Sequence, residues 1–495
     1  MSRPAATSHS TSHHSPTHSP MSHADIRTIV IGVGVAMFLG ALDQTIIAAA
    51  LPAIAGDLGD FGAISWVASI YLLTATAVTP LYGKYSDIKG RRAALSLGVA
   101  VFVAGSVACA LAPSMGWLIA ARAVQGLGGG GLISLAQTIV ADIVAPKERG
   151  KYQIYFASVF LLSSLLGPTL GGFFTQHLHW TLIFWINLPL GALAYFISNA
   201  ALKRLPRHDR PHQLDILGAV LLVAATVTMM LALHDGGATH PWLSARILGL
   251  FAASFGLWLL FVWRIRRASE PLIPLAILGN TVVSRATVAA ACGMGAYIGL
   301  SIYLPVYFQA ARGMSISASG LGLIPLMVGT VVGATIAGQL MGRIVHYKRI
   351  PAIGLCFATL GATVLALWSD ALPLGAFEAV LAVISIGLGT VLPTTTVAIQ
   401  NAVELHQLGT ATGTMNFFRQ LGSAVTVAVF GTLLNASGIS EATLHAGAEL
   451  APGGFRPIFT ATAIGFAVAF VFILWMKERP LRSSARQAAE VVVAD

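Results

Sequence analysis

The chain is a succession of apolar runs of about 20 residues, interrupted by short polar links. At ~1.5 Å of rise per residue, each run is long enough as a helix to cross a hydrocarbon layer of about 30 Å. The runs fall near 27–50, 63–82, 93–112, 116–141, 152–175, 180–201, 214–233, 244–264, 286–309, 317–340, 350–368, 375–400, 408–434 and 456–476. The pattern predicts an all-α polytopic membrane protein with 14 transmembrane helices. Glu270–Asn280, with two prolines, is too short to span and reads as an interfacial link.

The polar links divide by charge. Every second link is basic: Lys84, Lys89, Arg91 and Arg92; Lys147, Arg149 and Lys151; Lys203, Arg204, Arg207 and Arg210; Arg264, Arg266 and Arg267; Arg343, Lys348 and Arg349. Lys477, Arg479, Arg482 and Arg486 follow the last run, whereas the alternate links offer only Arg246, Arg312 and Arg456 near run edges. By the positive-inside rule the basic links are cytoplasmic, and so are both termini. The membrane expected is a plasma membrane of the bacterial inner type.

Composition agrees: 56% of the 495 residues are hydrophobic, 10% are charged, and the mean hydropathy is +0.78. A net charge of +10 would suggest nucleic acid in a soluble protein, but here the charge sits in the links and no nucleic-acid partner is expected. Cys109, Cys292 and Cys356 lie in apolar runs and read as small core residues. Residues 1–26 carry five histidines among Ser, Thr and Pro, without the charged start and cleavage site of a signal peptide. They read as a solvated, disordered tail, with weak metal binding the alternative and Met21 a second possible start.

One carboxylate breaks the first run. Asp43 lies roughly 20 Å along a helix beginning near Ile29, deep in the apolar layer. An acid there costs about 2.5–3.5 kcal/mol on insertion scales and normally faces water and carries function. The other reading is a structural Asp bonded to a neighbouring helix. Arg122, in the fourth run, belongs to the same half and is the natural partner. Gly126–Gly131 satisfies G-x-G-x-x-G, but it lies mid-span with no strand before it, so it reads as helix packing and not as a dinucleotide site. No G-x-x-x-x-G-K-[ST] motif occurs, which argues against an ATP-driven pump.

Two inner links echo one another: Gly83–Arg92 after the second run, and Gly338–Arg343 with Lys348 and Arg349 after the tenth. Such repeats build a central site between two moving bundles. Gly83-Lys84-Tyr85-Ser86-Asp87-Ile88-Lys89-Gly90-Arg91-Arg92 resembles the loop signature of the major facilitator superfamily. Leu118–Gly126 is similar to its fourth-helix signature, in which an Arg faces the cavity, and Gly167-Pro168-Thr169-Leu170-Gly171-Gly172 to its antiporter signature. Leu42–Pro52, Asp142–Gly150, Ile186–Gly191, Tyr303–Gln309 and Asn416–Gly422 resemble segments of the fourteen-helix drug:proton antiporters. Two positions depart from the pattern. Thr181 follows Trp180 where an Arg is usual, and Gly342 stands where the first half has Asp87.

The resemblance implies a major facilitator fold with six-helix bundles at 27–201 and 286–476, two extra helices within 202–285, and a tail at 477–495. It implies proton coupling by Asp43 and Arg122. A conformational latch would use Gly83, Asp87, Gly90, Arg91, Arg92, Asp142 and Arg149, and a kink would form at Gly167, Pro168, Gly171 and Gly172. Gln125, Tyr297, Tyr303, Tyr307, Phe308, Gln309, Asn416, Phe417 and Arg419 would line the substrate cavity with aromatic and amide groups. The function expected is proton-coupled efflux of lipophilic or cationic drugs by a monomer, with no catalytic residues, no metal and no cofactor beyond the proton gradient. Transport of one metabolite, such as an organic acid or siderophore, and a transport-dead sensor on the same fold are the alternatives.

Overall fold

The computed structural model describes residues 23–203, 213–237, 239–437 and 453–482. The histidine-rich segment before His23, most of the link with Arg204, Arg207 and Arg210, and Arg486 lie outside them. The described residues form helices and short links, with no strand among them. Among the described residues, fourteen helices are long and apolar enough to cross a membrane, making this an integral membrane protein. They are α1 (Ile26–Leu58), α2 (Phe61–Lys89), α3 (Arg91–Ala110), α4 (Met115–Ile143), α5 (Pro146–His177), α6 (Leu182–Leu202), α7 (Ile216–Asp235), α8 (Ala245–Arg267), α9 (Thr281–Ala310), α10 (Ala318–Met341), α11 (Arg349–Trp368), α12 (Leu374–Asn401), α13 (Leu405–Ala436) and α14 (Arg456–Trp475).

Helix α1 packs on α4, α5 and α6, and α3 on α4 and α6, while α9 packs on α12, α13 and α14 and α12 on α10 and α11. Two groups of six helices result. The pair α7–α8 lies beside them: α7 rests on α2 of one group and α13 of the other, through Leu81, Leu222, Phe417 and Leu421. Asp215 caps the first turn of α7 at Gly218 N and accepts Arg264 Nε at 2.9 Å, which binds the two helices of the pair together. Between α8 and α9, Leu275–Gly279 forms one short helical turn in the segment expected to be an interfacial link.

Several helices outrun their apolar cores, because a helix continues through the interface until a residue stops it. The first helix already begins at His23, inside the stretch expected to be a tail. The stretch Gly83–Lys89, expected to be a loop, forms the last two turns of α2. The turn is confined to Gly90, whose φ of +89° suits glycine. Two spans are interrupted. A turn at Gly130–Gly131 divides α4, and Ile186 divides α6 just before Asn187. Pro168 leaves α5 helical from Pro146 to His177.

The two groups meet at the end of the molecule that carries the basic links, along two glycine seams. A Cβ on Gly83 of α2 would strike the carbonyl of Gly409 on α13, and one on Gly409 would strike that of Gly83. Gly150 of α5 and Gly338 of α10 stand in the same relation. Among the described residues, the link that has Gly342 in place of an acid closes through the glycine backbones with no acidic cap, whereas the α2–α13 seam adds Asp87. At the same end, Asn401 Nδ2 donates to Pro480 O at 3.1 Å and Lys348 N to Glu478 Oε1 at 2.9 Å, so the chain after α14 is docked there.

Replacing Gly338 by Leu should overpack the α5–α10 seam by about 1–3 kcal/mol and drive the halves apart at the basic end. A cysteine placed at Thr412, fully buried here, should then label severalfold faster with a membrane-impermeant maleimide applied from the basic face. Unchanged labelling would show that this seam does not hold the closed arrangement.

Candidate functional site

Asp43 lies mid-helix in α1 and is 1% exposed. Three side chains fill its carboxylate. Arg122 Nη1 donates to Oδ2 at 2.6 Å, and Gln125 Nε2 and Asn187 Nδ2 donate to Oδ1 at 2.7 and 3.2 Å. Arg122 and Gln125 are three apart on α4, so they share one face. Arg122 also donates to Gln125 Oε1 at 2.7 Å and, through Nε, to Val67 O of α2 at 3.0 Å. Its guanidinium lies 4.4 Å from the Tyr71 ring centre. Ser106 of α3 accepts from Gln125 and Asn187 at 2.8 and 3.3 Å. One compact network thus ties α1, α2, α3, α4 and α6.

Gln125, expected to line the substrate cavity, is fully buried in this network and orients Asp43 and Arg122 instead. Asn187 and Ser106 were not foreseen. An amide and a hydroxyl in apolar runs are weaker signals than a charge, although Asn187 lies inside a segment whose family resemblance was legible. Close packing serves the network. Gly126 and Gly128 of α4 leave no room for a Cβ against the backbones of Tyr71 and Phe102, so α4 is pressed between α2 and α3.

The residues named as a latch form two arrangements. Asp87 accepts Gly409 N at 3.0 Å and Thr410 N and Oγ1 each at 2.7 Å, so this carboxylate of α2 caps the first turn of α13 in the other half. Arg91 bridges Asp87 at 2.5 Å and Asp142 at 2.6 Å. Arg92 and Arg149 stand apart from this bridge. Arg92 donates to Asn199 at 2.5 Å, and Arg149 donates to Val144 O and Ala141 O at 2.9 and 2.5 Å, closing the end of α4. At the opposite end of the molecule, Trp180 Nε1 donates to Asp57 Oδ2 at 2.7 Å. The corner that lacks the usual Arg is joined by an indole N–H. In the segment expected to kink, Gly167 and Gly171 press α5 onto Thr45 and Ile46 of α1, and nothing stands near Gly172.

In the second half the cavity residues separate. Tyr307 and Phe308 do not line open space: both are buried among Phe377, Phe455 and Phe459, and Tyr307 Oη donates to Ser369 O at 3.0 Å. Phe417 is likewise buried, against Trp258 of α8, because α7–α8 cover that side of α13. Tyr297 and Tyr303 are half-buried on the edge of the aromatic core, and Gln309 is exposed, donating to Ser319 at 3.0 Å. Asn416 reaches the first half, with Nδ2 donating to Gln137 Oε1 of α4 at 2.8 Å. Gln420, four residues on, accepts Thr76 Oγ1 of α2 at 2.9 Å. Arg419 lies between them on the same face of α13, half-buried. Its Nη1 donates to Asn416 Oδ1 at 3.2 Å, and its Nε is buried without a partner. Behind α13, Phe418, Leu421 and Gly422 line an apolar hollow of about 300 Å³ with Met229 and Cys292.

Comparison with known proteins places this arrangement. The Major Facilitator Superfamily profile matches residues 33–427. The chain belongs to that superfamily. It is 34% identical over 410 residues to "Multidrug resistance protein 3" of Bacillus subtilis (strain 168), covering 83% of this chain and 80% of that one. It is 34% identical over 414 residues to "Multidrug transporter protein MdtP" of the same organism, covering 83% and 76%. Among solved structures, the human organic anion transporter MFSD10 superimposes with a TM-score of 0.64 at 18% identity, covering 90% of this chain and 99% of that one. The proton:xylose symporter XylE superimposes with a TM-score of 0.64 at 13% identity, covering 93% and 98%. These last two likenesses concern the fold. Members of this superfamily are transporters that bind small molecules, and the relatives also include "Efflux pump dotC" of Dothistroma septosporum, 33% identical over 409 residues and covering 81% of this chain and 70% of that one.

Removing one member of the buried ion pair should be worse than removing both. Arg122→Met should destabilise the protein by about 3–5 kcal/mol, because Asp43 is left buried and unpaired. Adding Asp43→Asn should restore part of that loss. Thermal unfolding of the two single variants and the double variant in detergent measures the coupling, and strictly additive losses would contradict it.

Proposed function

We propose that the protein exports lipophilic small molecules in exchange for protons, by alternating access, with Asp43 as the proton-carrying group. The observation that supports this most is the buried Asp43–Arg122 pair, held in the one network that joins five helices of the first half. Protonation of Asp43 removes the charge that holds Arg122. Arg122 is also bonded to Val67 O and stacked on Tyr71, both on α2. The same helix carries Gly83 and Asp87, which meet α13 at the basic end. Proton uptake therefore acts on a helix shared by the coupling group and the seam. Protonation of the site and opening of the seam become linked events that one rigid helix can relay.

In the orientation given by the basic links, the closed seam faces the cytoplasm. Among the described residues, the side-chain hydrogen bonds joining the two halves run from the Asp87 cap to the level of Gln420 and stop there. This conformation is read as closed to the cytoplasm, the state from which an exporter releases its load and takes up a proton. The name "Efflux pump dotC" of a relative from Dothistroma septosporum supports efflux as the direction.

Asp43→Asn keeps the shape of the site and cannot titrate. Vesicles carrying this variant, compared at equal amounts of folded inserted protein, should show no substrate-driven proton release, while wild-type vesicles release protons when substrate is added. Full release by the variant would remove Asp43 from the coupling role.

A further inference from the structure

The substrate's chemical class can be read from the charges that face one another across the two halves, taking the transport reading above as the premise. Asp43 cannot serve as a counter-ion for a cationic substrate in this state. It is 1% exposed, its charge is matched by Arg122, and both its oxygens already accept hydrogen bonds. The Asp43–Arg122 pair is therefore electrically neutral. Arg419 is its opposite. It lies 11 residues into the helical segment Leu408–Ala436, roughly 16 Å from that end, within the apolar thickness. Among the described residues no carboxylate lies within 4 Å of it.

One neighbour aims this guanidinium. Asn416 spends its amide N–H groups on Gln137 Oε1 at 2.8 Å and on Thr412 O at 3.1 Å, which turns its Oδ1 toward Arg419. Ser423, one turn along, bonds Arg419 O at 2.8 Å and so fixes only the backbone. The guanidinium is thus held by one neutral acceptor, with its Nε buried and unpartnered, on the face of α13 whose other polar residues reach the first half. A charge at this depth requires an anion or a full set of acceptors, and the described residues supply one amide oxygen.

We infer that the transported molecule is an amphipathic organic acid, an apolar body bearing a carboxylate that pairs with the Arg419 guanidinium at the interface between the two halves. A guanidinium can take a carboxylate through two parallel N–H donors, which adds geometry to charge. An apolar body of the same shape without the acid forgoes that pairing, and one with an ammonium group is repelled. Lipophilic compounds remain the class, and within it the cationic members become the poor substrates.

The test uses the purified full chain in lipid nanodiscs and three matched probes: a naphthylbutyrate, its neutral primary amide and the corresponding naphthylbutylamine. Equilibrium dialysis should give the acid at least tenfold tighter binding than the amide, with the amine weakest. Arg419→Gln should erase the difference between acid and amide, and Arg419→Lys should keep part of it. Wild-type binding that favours the amine, or that does not separate the three probes, would overturn the inference without reference to any variant. So would an Arg419→Gln protein that still prefers the acid. Asp43→Asn should retain the acid preference in binding, so loss of proton coupling and loss of acid recognition are read on different variants. Proteoliposomes supply the second readout: the wild-type protein should accumulate the acid, not the amine, under an imposed proton gradient.

Discussion

An ion pair 1% exposed to solvent on both sides is the constraint around which the first half is arranged. Neither Asp43 nor Arg122 is tolerable alone in an apolar layer, and even as a pair they leave lone pairs and N–H groups to satisfy. Gln125, Asn187, Ser106 and the carbonyl of Val67 do this, and each comes from a helix that must then sit at a fixed height and rotation. The break at Ile186 and the glycines of α4 follow from the same demand, since they let α6 present Asn187 and let α4 enter between α2 and α3. Hydrogen bonds from several helices to one buried pair make the centre of this half stiff, although Asn187 Oδ1 and the Tyr71 hydroxyl beside it are left without a partner among the described residues.

The interface between the halves is built on a different principle. Its seams are backbone against backbone, through Gly83–Gly409 and Gly150–Gly338, with few side chains to interlock. Contacts of this kind hold by close approach and are lost together once the helices separate by a fraction of a side chain. The Asp87 cap on α13 supplies direction and charge at one seam only. The two seams are accordingly unequal, and that inequality was visible in the chain as Asp87 against Gly342.

What could be read from the chain, and what could not, follows from the strength of each signal. Fourteen apolar runs are long-range patterns that no local exception obscures, and among the described residues 14 helices stand close to where they were expected, several with longer ends. Asp43 and Arg122 were legible because charge in an apolar run is expensive and rare, and their 2.6 Å contact follows from needing one another. Their neutral partners were harder to see, because Asn187 and Ser106 resemble any other polar residue tolerated in a span. The aromatic residues misled in the other direction. Tyr307, Phe308 and Phe417 suit a loose binding cavity as well as a packed core, and composition cannot choose between these. The choice was made by neighbours far away in the chain, Phe377 and Phe459 in one case and Trp258 of the extra pair in the other.

The pair α7–α8 touches both halves, but not in the same manner throughout. Where α7 lies along α2 and α13, its contacts are Leu81, Leu222, Phe417 and Leu421, apolar surfaces with no directional bond to break. At the end away from the basic links, His234 lies 4.3 Å from Trp66, ring centre to ring centre, and Gly237 O accepts from Asn435 at 3.3 Å. If the halves rock against each other, the lower surfaces can slide like a greased bearing while the upper contacts act as stops on its travel. The inserted helices would then set the amplitude of each stroke without touching what is carried.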